Sequence, residues 1–148
     1  MKLLNQIKVT FASRSVNEGF ARAVLAAFLV QLDPTVPQLA DLKTAVSEAV
    51  TNCIVHAYPQ CLGLVTMTLS HYEGNIVRVV IADRGVGIAD VEQAMQPMYT
   101  TGNPEERAGL GFAVMQSFTD KLRVTSRPGR GTRVTLTKQL DARDASLT

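Results

Sequence analysis

Three side chains that could bind a metal or accept a proton recur at four-residue intervals near the middle of the chain. Glu48, Asn52 and His56 lie in VSEAVTNCIVHAY, a stretch that is otherwise mostly apolar. Residues four apart in an α-helix project from one face, about 6 Å apart along the axis. A carboxylate can accept a proton from an attacking hydroxyl, and an amide oxygen is a hard, neutral ligand for Mg²⁺. The spacing therefore indicates a general base at Glu48 and a metal ligand at Asn52, whereas His56 fits a packed or capping residue equally well.

A second motif, IADRGVGI, combines an acidic side chain with two glycines. An apolar strand is expected to end at Asp83 and to continue into a turn that contains Gly85 and Gly87. Glycine permits a positive φ and a close approach of the backbone to a ligand. The Asp83 carboxylate could accept a hydrogen bond from an exocyclic amine such as that of adenine. Taken alone, the motif is also typical of an ordinary β-turn.

Two further glycine motifs lie towards the end of the chain. AGLGF places Gly109, Leu110 and Gly111 ahead of an expected helix, where free backbone N–H groups favour a phosphate. GRGTRVTL places Gly131 and Thr132 at the start of the last expected strand. Each motif is weak by itself. The chain contains no GxxxxGK[ST] phosphate loop, no GxGxxG fingerprint, and no HRD or DFG motif of the protein kinases.

The elements that position the first motif follow from the apolar periodicity of the first half of the chain. QIKVTFAS alternates and predicts a strand. SVNEGFARAVLAAFLVQLDP predicts a helix that opens with a capping box at Ser15 and Glu18. The expected buried stripe of this helix consists of Phe20, Val24, Phe28 and Leu32. A second helix, with Thr35 and Gln38 at its start, is expected to continue to about Ala57.

The second half of the chain is expected to form most of the sheet. LGLVTMTLSHYEGNIVRVVIAD predicts a hairpin turned at YEGN, and RVTSRPGRGTRVTLTKQL predicts another, turned at Pro128–Gly131. Between them, ADVEQAMQPM predicts a short helix that ends at Pro97, and GLGFAVMQSFTDKL predicts a longer helix. Residues 99–108 are polar and rich in turn formers, which predicts a mobile loop. The order of elements indicates an α+β sandwich, in which one mixed sheet is covered by helices on one face.

Composition limits the classes of function. The 148 residues are 46% hydrophobic and 19% charged, which indicates a single globular domain over residues 1–140 with a flexible tail at 141–148. The net charge of +2, with scattered Lys and Arg, does not indicate nucleic-acid binding. Neither a signal peptide nor an apolar run of about 18 residues is visible, so we expect a cytoplasmic protein without a membrane segment. Cys53 is expected to pack as a small hydrophobe.

Together the motifs resemble those of the GHKL ATPase superfamily. The N box, the G1 box, the G2 box and the closing element of that superfamily correspond in order to Glu48-x-x-x-Asn52-x-x-x-His56, Asp83-x-Gly85-x-Gly87, Gly109-x-Gly111 and Gly131-Thr132. Further stretches, among them FAR…LDPT, resemble the anti-sigma factor serine kinases, and most closely their sporulation branch, the anti-sigma F factors. The resemblance extends over nearly the whole chain and implies a sandwich of the GHKL (Bergerat) ATP-binding type.

The resemblance also implies an activity and partners. Members of this family are small homodimers that hold a sigma factor inactive, here sigma factor F. They use ATP and Mg²⁺ to phosphorylate a serine of an anti-anti-sigma factor, so the implied enzyme is an ATP-dependent protein serine/threonine kinase.

Roles for single residues follow from the same resemblance. Glu48 would be the general base and Asn52 the Mg²⁺ ligand, while Asp83 would recognise adenine. Arg107, in the loop that would form the ATP lid, would contact the terminal phosphate. The other implied nucleotide-binding residues are Gly85, Gly87, Thr100, Thr101, Gly109, Leu110, Gly111 and Thr132. Arg22 matches a residue that binds partner proteins, although a solvated helix arginine explains it equally well.

One departure from the family pattern leaves a second function open. Gly102 and Asn103 follow Thr100 and Thr101, where the family commonly has a lysine that faces phosphate. A binding module that holds ATP and a sigma factor without phosphate transfer is therefore an alternative. A general-stress anti-sigma kinase is another, against which FAR…LDPT argues. A histidine-kinase fragment is not expected, because no helix with a phosphoacceptor histidine precedes the N box, and ATPases of the Hsp90 or MutL type are far longer.

Overall fold

A five-stranded sheet, with helices packed on one face, organises the computed structural model, which describes residues 1–96 and 108–141. The strands are β1 (Leu3–Ala12), β2 (Leu64–Tyr72), β3 (Ile76–Asp83), β4 (Lys121–Arg127) and β5 (Gly131–Gln139). Their order across the sheet is β1-β2-β3-β5-β4. The helices are α1 (Val16–Val30), α2 (Val36–Asn52), α3 (Val91–Ala94) and α4 (Ala108–Ser117), and a π-helix (Cys53–Ala57) follows α2 directly. The expected α+β sandwich is confirmed.

All neighbouring strands of this sheet are antiparallel, so the prediction of a mixed sheet is wrong. Strand β4 runs in the same direction as β3, but β5 lies between them and pairs antiparallel with both. A hairpin connection forces β5 to turn back along β4. Because β5 and not β4 occupies the place beside β3, no parallel pair arises.

The core fills the space between the sheet and the two long helices. Alternate residues of the central strands are fully buried, in keeping with the two-residue period of a strand: Val65, Met67, Leu69, Val77, Val79 and Ile81. From α2 they meet Leu42, Val46 and Val50, which are also fully buried. Burial of each such side chain stabilises the fold by about 1.5–3 kcal/mol. The buried face of α2 therefore fixes the orientation of the polar side chains on the same helix.

The two predicted helix starts have different outcomes. Thr35 forms the expected capping box: its hydroxyl accepts from the Gln38 N–H at 3.2 Å, and its own N–H donates to Gln38 Oε1 at 2.9 Å. The capping box predicted at Ser15 is wrong, because this residue is itself in the helical conformation and its side chain makes no cap hydrogen bond. Glu18 instead accepts from the Ser47 hydroxyl on α2 and pairs with Arg22.

The buried face of α1 also differs from the prediction. Its buried residues are Ala21, Leu25, Phe28 and Leu29, whereas Phe20 is 50% exposed. A four-residue repeat drifts around a helix of 3.6 residues per turn, so only part of the predicted stripe can face the core. Phe20 lies at its edge and makes an edge-to-face contact with Phe11 of β1.

Both predicted hairpins are present. In the first turn Gly74 and Asn75 have positive φ values, and the second joins Arg127 to Gly131. The helix predicted over residues 109–122 is shorter, because α4 ends at Ser117 and β4 begins at Lys121. Leu122 and Val124 alternate with exposed charged residues, a two-residue period that favours a strand.

Some predictions fall on residues 97–107 and 142–148, outside the described part of the chain. These are the end of the short helix at Pro97, most of the polar loop, and the tail beyond residue 141. Among the helices that the structure describes, none combines the length and the apolar character needed to cross a bilayer.

Candidate nucleotide site

A cavity of about 410 Å³ opens beside the π-helix, between the turn after β3 and the helices α3 and α4. This volume lies within the range of pockets that hold small molecules, roughly 300–1,000 Å³. All four sequence motifs reach the cavity wall: the first through Asn52 and His56, the second through Asp83 and Gly87, AGLGF through Phe112, and GRGTRVTL through Thr132. The structure therefore brings residues from distant parts of the chain to one site.

The end of the long helix differs from the prediction in its geometry. It is α-helical only to Asn52 and then widens into the π-helix. π-helical turns are rare and are frequently found at functional sites. Here the Ala57 carbonyl accepts from the Val86 N–H at 2.9 Å. A Cβ on Gly85 would lie 2.2 Å from that carbonyl oxygen, so only glycine fits beneath the turn.

The turn between β4 and β5 packs against the turn after β3, on the side away from Ala57. Gly87 has a φ of +77°, and a Cβ there would lie 2.1 Å from the Arg127 carbonyl oxygen. A Cβ on Gly131 would lie 2.1 Å from the Asp83 carbonyl oxygen. The turn after β3 is thus clamped between two other backbone segments, which explains its two glycines, and Gly131 of β5, without reference to a ligand.

Asp83 is held firmly at the bottom of the cavity, where it is only 9% exposed. Its Oδ1 accepts from the Gly85 N–H at 2.9 Å and from the Thr132 N–H at 3.2 Å. Its Oδ2 accepts from the Cys53 thiol at 3.3 Å. A carboxylate with a donor on each of its two oxygens keeps a fixed direction, so Asp83 can present Oδ2 to a ligand.

Two residues near Asp83 have roles that the sequence did not reveal. Cys53 is buried as expected, but its thiol also donates to Asp83, and burial, followed by the Asp83 charge and that hydrogen bond, raises the pKa of the thiol. Ser126 accepts from the Ile88 N–H at 2.7 Å and lies 3.0 Å from the Gly131 carbonyl oxygen. Its hydroxyl is also 2.7 Å from that of Thr132. In the sequence Ser126 resembles any surface residue of an edge strand, and no signal distinguishes it.

Glu48, Asn52 and the glycine motif of α4 meet at the opposite end of the site. Gly109, Leu110 and Gly111 lie in the first turn of α4. A Cβ on Gly111 would lie 3.2 Å from Asn52 Nδ2 and 3.4 Å from Glu48 Oε2. The predicted base and the predicted metal ligand therefore both face the start of α4, where backbone N–H groups without an intrahelical partner favour an anion.

These residues fit a nucleotide with its metal ion. Asn52 Nδ2 is buried and has no hydrogen-bond partner among the described residues. A buried polar atom without a partner is costly and calls for an explanation, here a phosphate oxygen that this N–H donor could bind, while the oxygen of the same amide is the atom that could hold Mg²⁺. In the described part of the chain no three His, Cys, Asp or Glu side chains could hold a metal together. A Mg²⁺ ion at Asn52 would accordingly take most of its ligands from phosphate oxygens and water, as Mg²⁺ usually does.

Four other predicted residues are not among the described residues that line this cavity. Thr100, Thr101 and Arg107 fall outside the described residues. Arg22 lies on α1, where its exposed guanidinium pairs with Glu18 at 2.8 Å. Since Glu18 also binds Ser47, the residue before Glu48, the surface around Arg22 is connected to the helix that carries the predicted base.

Comparisons with known proteins agree with this geometry. Residues 11–138 match the family model described as the histidine kinase-like ATPase domain. Three similar relatives are each named an anti-sigma F factor. The protein of Thermoanaerobacter sp. (strain X514) is 52% identical over 140 residues, which cover 95% of this chain and 97% of the relative. That of Caldanaerobacter subterraneus subsp. tengcongensis is 53% identical over the same shares of the two chains. That of Pasteuria penetrans is 50% identical over 139 residues, or 93% of each chain.

Two solved structures share the fold. A crystal structure of the RsbU and RsbW domains of a Mycobacterium tuberculosis protein superposes with a TM-score of 0.69 at 20% identity, covering 95% of this chain and 34% of the other. A blue-light activated histidine kinase of Erythrobacter litoralis gives a TM-score of 0.58 at 27% identity, covering 73% of this chain and 32% of the other.

Proposed function

Because the chain belongs to the histidine kinase-like ATPase domain family, and within it to the group that includes the anti-sigma F factors, we propose that it is an anti-sigma factor and an ATP-dependent protein serine kinase. In this proposal it acts in the cytoplasm, where it binds the sporulation sigma factor F and holds it inactive. It transfers a phosphate from ATP to a serine of an anti-anti-sigma factor. A homodimer is part of the proposal and rests on the family resemblance.

The observation that carries the proposal is that one site has two chemically different ends. At one end Asp83 presents an oxygen that can accept from the amine of adenine. At the other, Glu48 and Asn52 face the first turn of α4. A nucleoside triphosphate has the matching polarity, with a base that donates a hydrogen bond and a phosphate tail that carries negative charge.

Each residue at the phosphate end has a distinct proposed task. Glu48 accepts the proton of the attacking serine hydroxyl, since its carboxylate lies beside the turn where the phosphates would bind. Asn52 supplies an oxygen ligand to Mg²⁺, which when bound neutralises phosphate charge. Gly109, Leu110 and Gly111 contribute the backbone N–H groups of the first turn of α4. Thr100, Thr101 and Arg107 are proposed to contact the phosphates on the strength of the resemblance alone.

The partner surface is proposed to centre on Arg22. Its guanidinium is exposed and held by Glu18, so it is presented in one orientation to an acidic group of a partner. Val16 and Phe20 are also exposed on this helix, at 69% and 50%, but they project from a different face than Arg22, so the proposed surface rests on the arginine.

A mixing experiment tests the proposed activity. The protein would be incubated with ATP, Mg²⁺, sigma factor F and the anti-anti-sigma factor, and the products analysed by mass spectrometry for phosphate on serine. We expect one phosphoserine on the anti-anti-sigma factor, and none when EDTA removes Mg²⁺. ATP-dependent sigma binding without phosphoserine would instead support the non-catalytic binding module, which Gly102 in place of the usual lid lysine favours. Binding of a general-stress sigma factor in preference to sigma factor F would favour the remaining alternative.

A substitution at Arg22 tests the partner surface separately from the chemistry. We expect Arg22→Ala to weaken sigma binding by at least about tenfold, the effect of losing a charged interface contact, and to leave ATP affinity unchanged. Lys121→Ala on β4, also exposed and basic, serves as the matched control. Equal sigma binding by wild type and Arg22→Ala, measured by surface plasmon resonance, would remove Arg22 from the proposed surface.

A further inference from the structure

Cys53 occupies an unusual position between the two ends of the site. It is the first residue of the π-helix and follows Asn52 directly. Its side chain is 4% exposed and lines the cavity beside Asp83. The thiol donates a hydrogen bond to Asp83 Oδ2 at 3.3 Å. If Cys53 only filled space as a small apolar side chain, the buried Asp83 carboxylate beside it would be unfavourable, because burying a charge next to an apolar group is costly. The thiol instead donates a hydrogen bond to this charge.

The hydrogen bonds of the Asp83 carboxylate leave room for one more donor. An ionised carboxylate has about four acceptor sites, two on each oxygen. The N–H groups of Gly85 and Thr132 occupy both sites on Oδ1. Among the described residues, Oδ2 accepts from the Cys53 thiol alone. One acceptor site on Oδ2 therefore remains. Because the thiol occupies the other site, it determines the direction in which the remaining site faces.

We propose that Cys53 is a positioning residue that sets the preference of the site for 6-amino purines over 6-oxo purines by holding Asp83 Oδ2 in a fixed orientation. Adenine carries an amine at C6 and can donate to the remaining acceptor site. Hypoxanthine and guanine carry a carbonyl at C6, which would set two acceptors against each other with no proton between them. The inference rests on the proposed nucleotide-binding function and adds to it the residue that acts through Asp83.

The energetic scale of this effect follows from the chemistry of the donor. The backbone N–H groups on Oδ1 hold one oxygen, but the carboxylate can still adjust about that anchor when Oδ2 has no donor. A net hydrogen bond is worth about 0.5–1.5 kcal/mol, which corresponds to roughly 2- to 12-fold in a dissociation constant. Loss of the thiol should therefore weaken ATP binding by a factor in this range and should leave ITP binding nearly unchanged, because ITP gains nothing from the orientation of Oδ2.

The test compares ATP with ITP in three variants of the full chain. Cys53→Ser keeps a donor, whereas Cys53→Ala and Cys53→Val remove it and differ in size, so that one of them should preserve the packing. Dissociation constants would be measured by isothermal titration calorimetry with Mg²⁺, after thermal unfolding has shown that each variant is folded. We expect Cys53→Ser to keep the ATP to ITP affinity ratio within about twofold of wild type, and the Ala and Val variants to lower it roughly 3- to 10-fold.

The outcomes separate this inference from the function on which it rests. If ATP and ITP affinities fall together in the Ala and Val variants, Cys53 only packs and the inference is overturned. An unchanged ratio in a folded donor-free variant also overturns it, while the proposed function stands. If the wild-type protein binds no ATP, the proposed function fails, and the inference fails with it.

Discussion

The two ends of the nucleotide site are built in different ways. At the base end, three backbone segments touch one another, and the Asp83 carboxylate oxygens have hydrogen-bond partners within the protein. At the phosphate end, side chains from α2 face the first turn of α4, and the Asn52 amide nitrogen is buried without a partner among the described residues. At the base end both carboxylate oxygens already have a donor and one acceptor site remains on Oδ2, whereas at the phosphate end a buried donor has no partner among the described residues.

Tyr58 extends the contrast, since it belongs to the fixed end. Its hydroxyl donates to the Leu64 carbonyl at 2.9 Å and accepts from the Arg84 N–H at 2.7 Å, which ties the residue after the π-helix to the start of β2 and to the turn after β3. A Cβ on Gly63 would lie 2.2 Å from the Tyr58 ring. The difference indicates that the contacts of the base end increase the free energy of unfolding. At the phosphate end, a buried donor without a partner among the described residues lowers it, but the same groups are placed to bind a phosphate and its metal ion. Substitutions at the two ends should consequently separate stability from activity.

The largest expected effect falls on activity at the phosphate end. Glu48→Gln keeps the size of the side chain but removes the proton acceptor, so phosphate transfer should fall about 10²- to 10⁴-fold. ATP affinity should stay within about threefold of wild type, because the base end is untouched. Phosphoserine formation in single-turnover assays and nucleotide titration measure the two quantities. Glu73→Gln, in the exposed turn of the first hairpin, is the control; a comparable loss in that variant would contradict the assignment.

A change at Asn52 should separate nucleotide binding from stability. Asn52→Ala removes the proposed Mg²⁺ ligand, and the Mg²⁺-dependent part of ATP affinity should fall by about 100-fold, since even residues behind a metal ligand contribute 10- to 100-fold. The free energy of unfolding should not decrease, because the amide nitrogen that is lost was buried without a partner among the described residues. Titration with and without Mg²⁺ and urea unfolding check both statements. Thr51→Ala, exposed on the same helix, is the matched control. An equal loss of ATP affinity in the absence of Mg²⁺ would argue against a metal ligand.

A glycine at the base end should behave in the opposite way. Gly85→Ala places a Cβ 2.2 Å from the Ala57 carbonyl oxygen, so backbone has to move and stability should fall by about 3 kcal/mol. Gly19→Ala on α1, whose Cβ would meet its nearest atom at 3.9 Å, should raise stability by about 0.5–1 kcal/mol. Thermal and urea unfolding provide the comparison. If the two variants had the same stability, the base end would not be as closely packed as described.

The smallest expected change in stability concerns the glycine of the phosphate end. A Cβ on Gly111 would lie 3.2–3.4 Å from the ends of the Asn52 and Glu48 side chains, which can move by a few tenths of an ångström. Gly111→Ala should therefore change the free energy of unfolding by less than about 1 kcal/mol, helped by the helix propensity of alanine. Phosphate transfer should nevertheless fall about tenfold, because catalysis depends on the positions of both side chains. A variant as destabilised as Gly85→Ala would show that the two ends are built alike.

Most of the candidate site is predictable from the sequence for a definite physical reason. The chemistry of a carboxylate, an amide or a glycine is a property of the residue itself, and its spacing along a helix or turn is local. Residue type and spacing mark Glu48, Asn52 and Asp83 as candidates, the order of the motifs adds the family resemblance, and Asn52 and Asp83 line the cavity. The hairpins and the capping box at Thr35 are predictable for the same reason, since they depend on neighbours in the chain.

What the sequence could not supply depends on contacts between distant segments. Strands β3 and β4 run in the same direction but do not form a parallel pair, because β5 lies between them. Glu18 is drawn away from a local cap by Ser47, 29 residues further on. Ser126 and Cys53 acquire their roles from Ile88 and Asp83, which only the fold brings within hydrogen-bond distance.

The sequence by itself determined which groups are available for chemistry and on which kind of element each one stands. Only the tertiary structure decided that the long helix widens at Cys53, so that the Ala57 carbonyl reaches the turn after β3. The reason is that periodicity and residue type act over one or two turns of chain, whereas a π-helix and a backbone clamp are selected by the packing of segments that meet only when the sheet has formed.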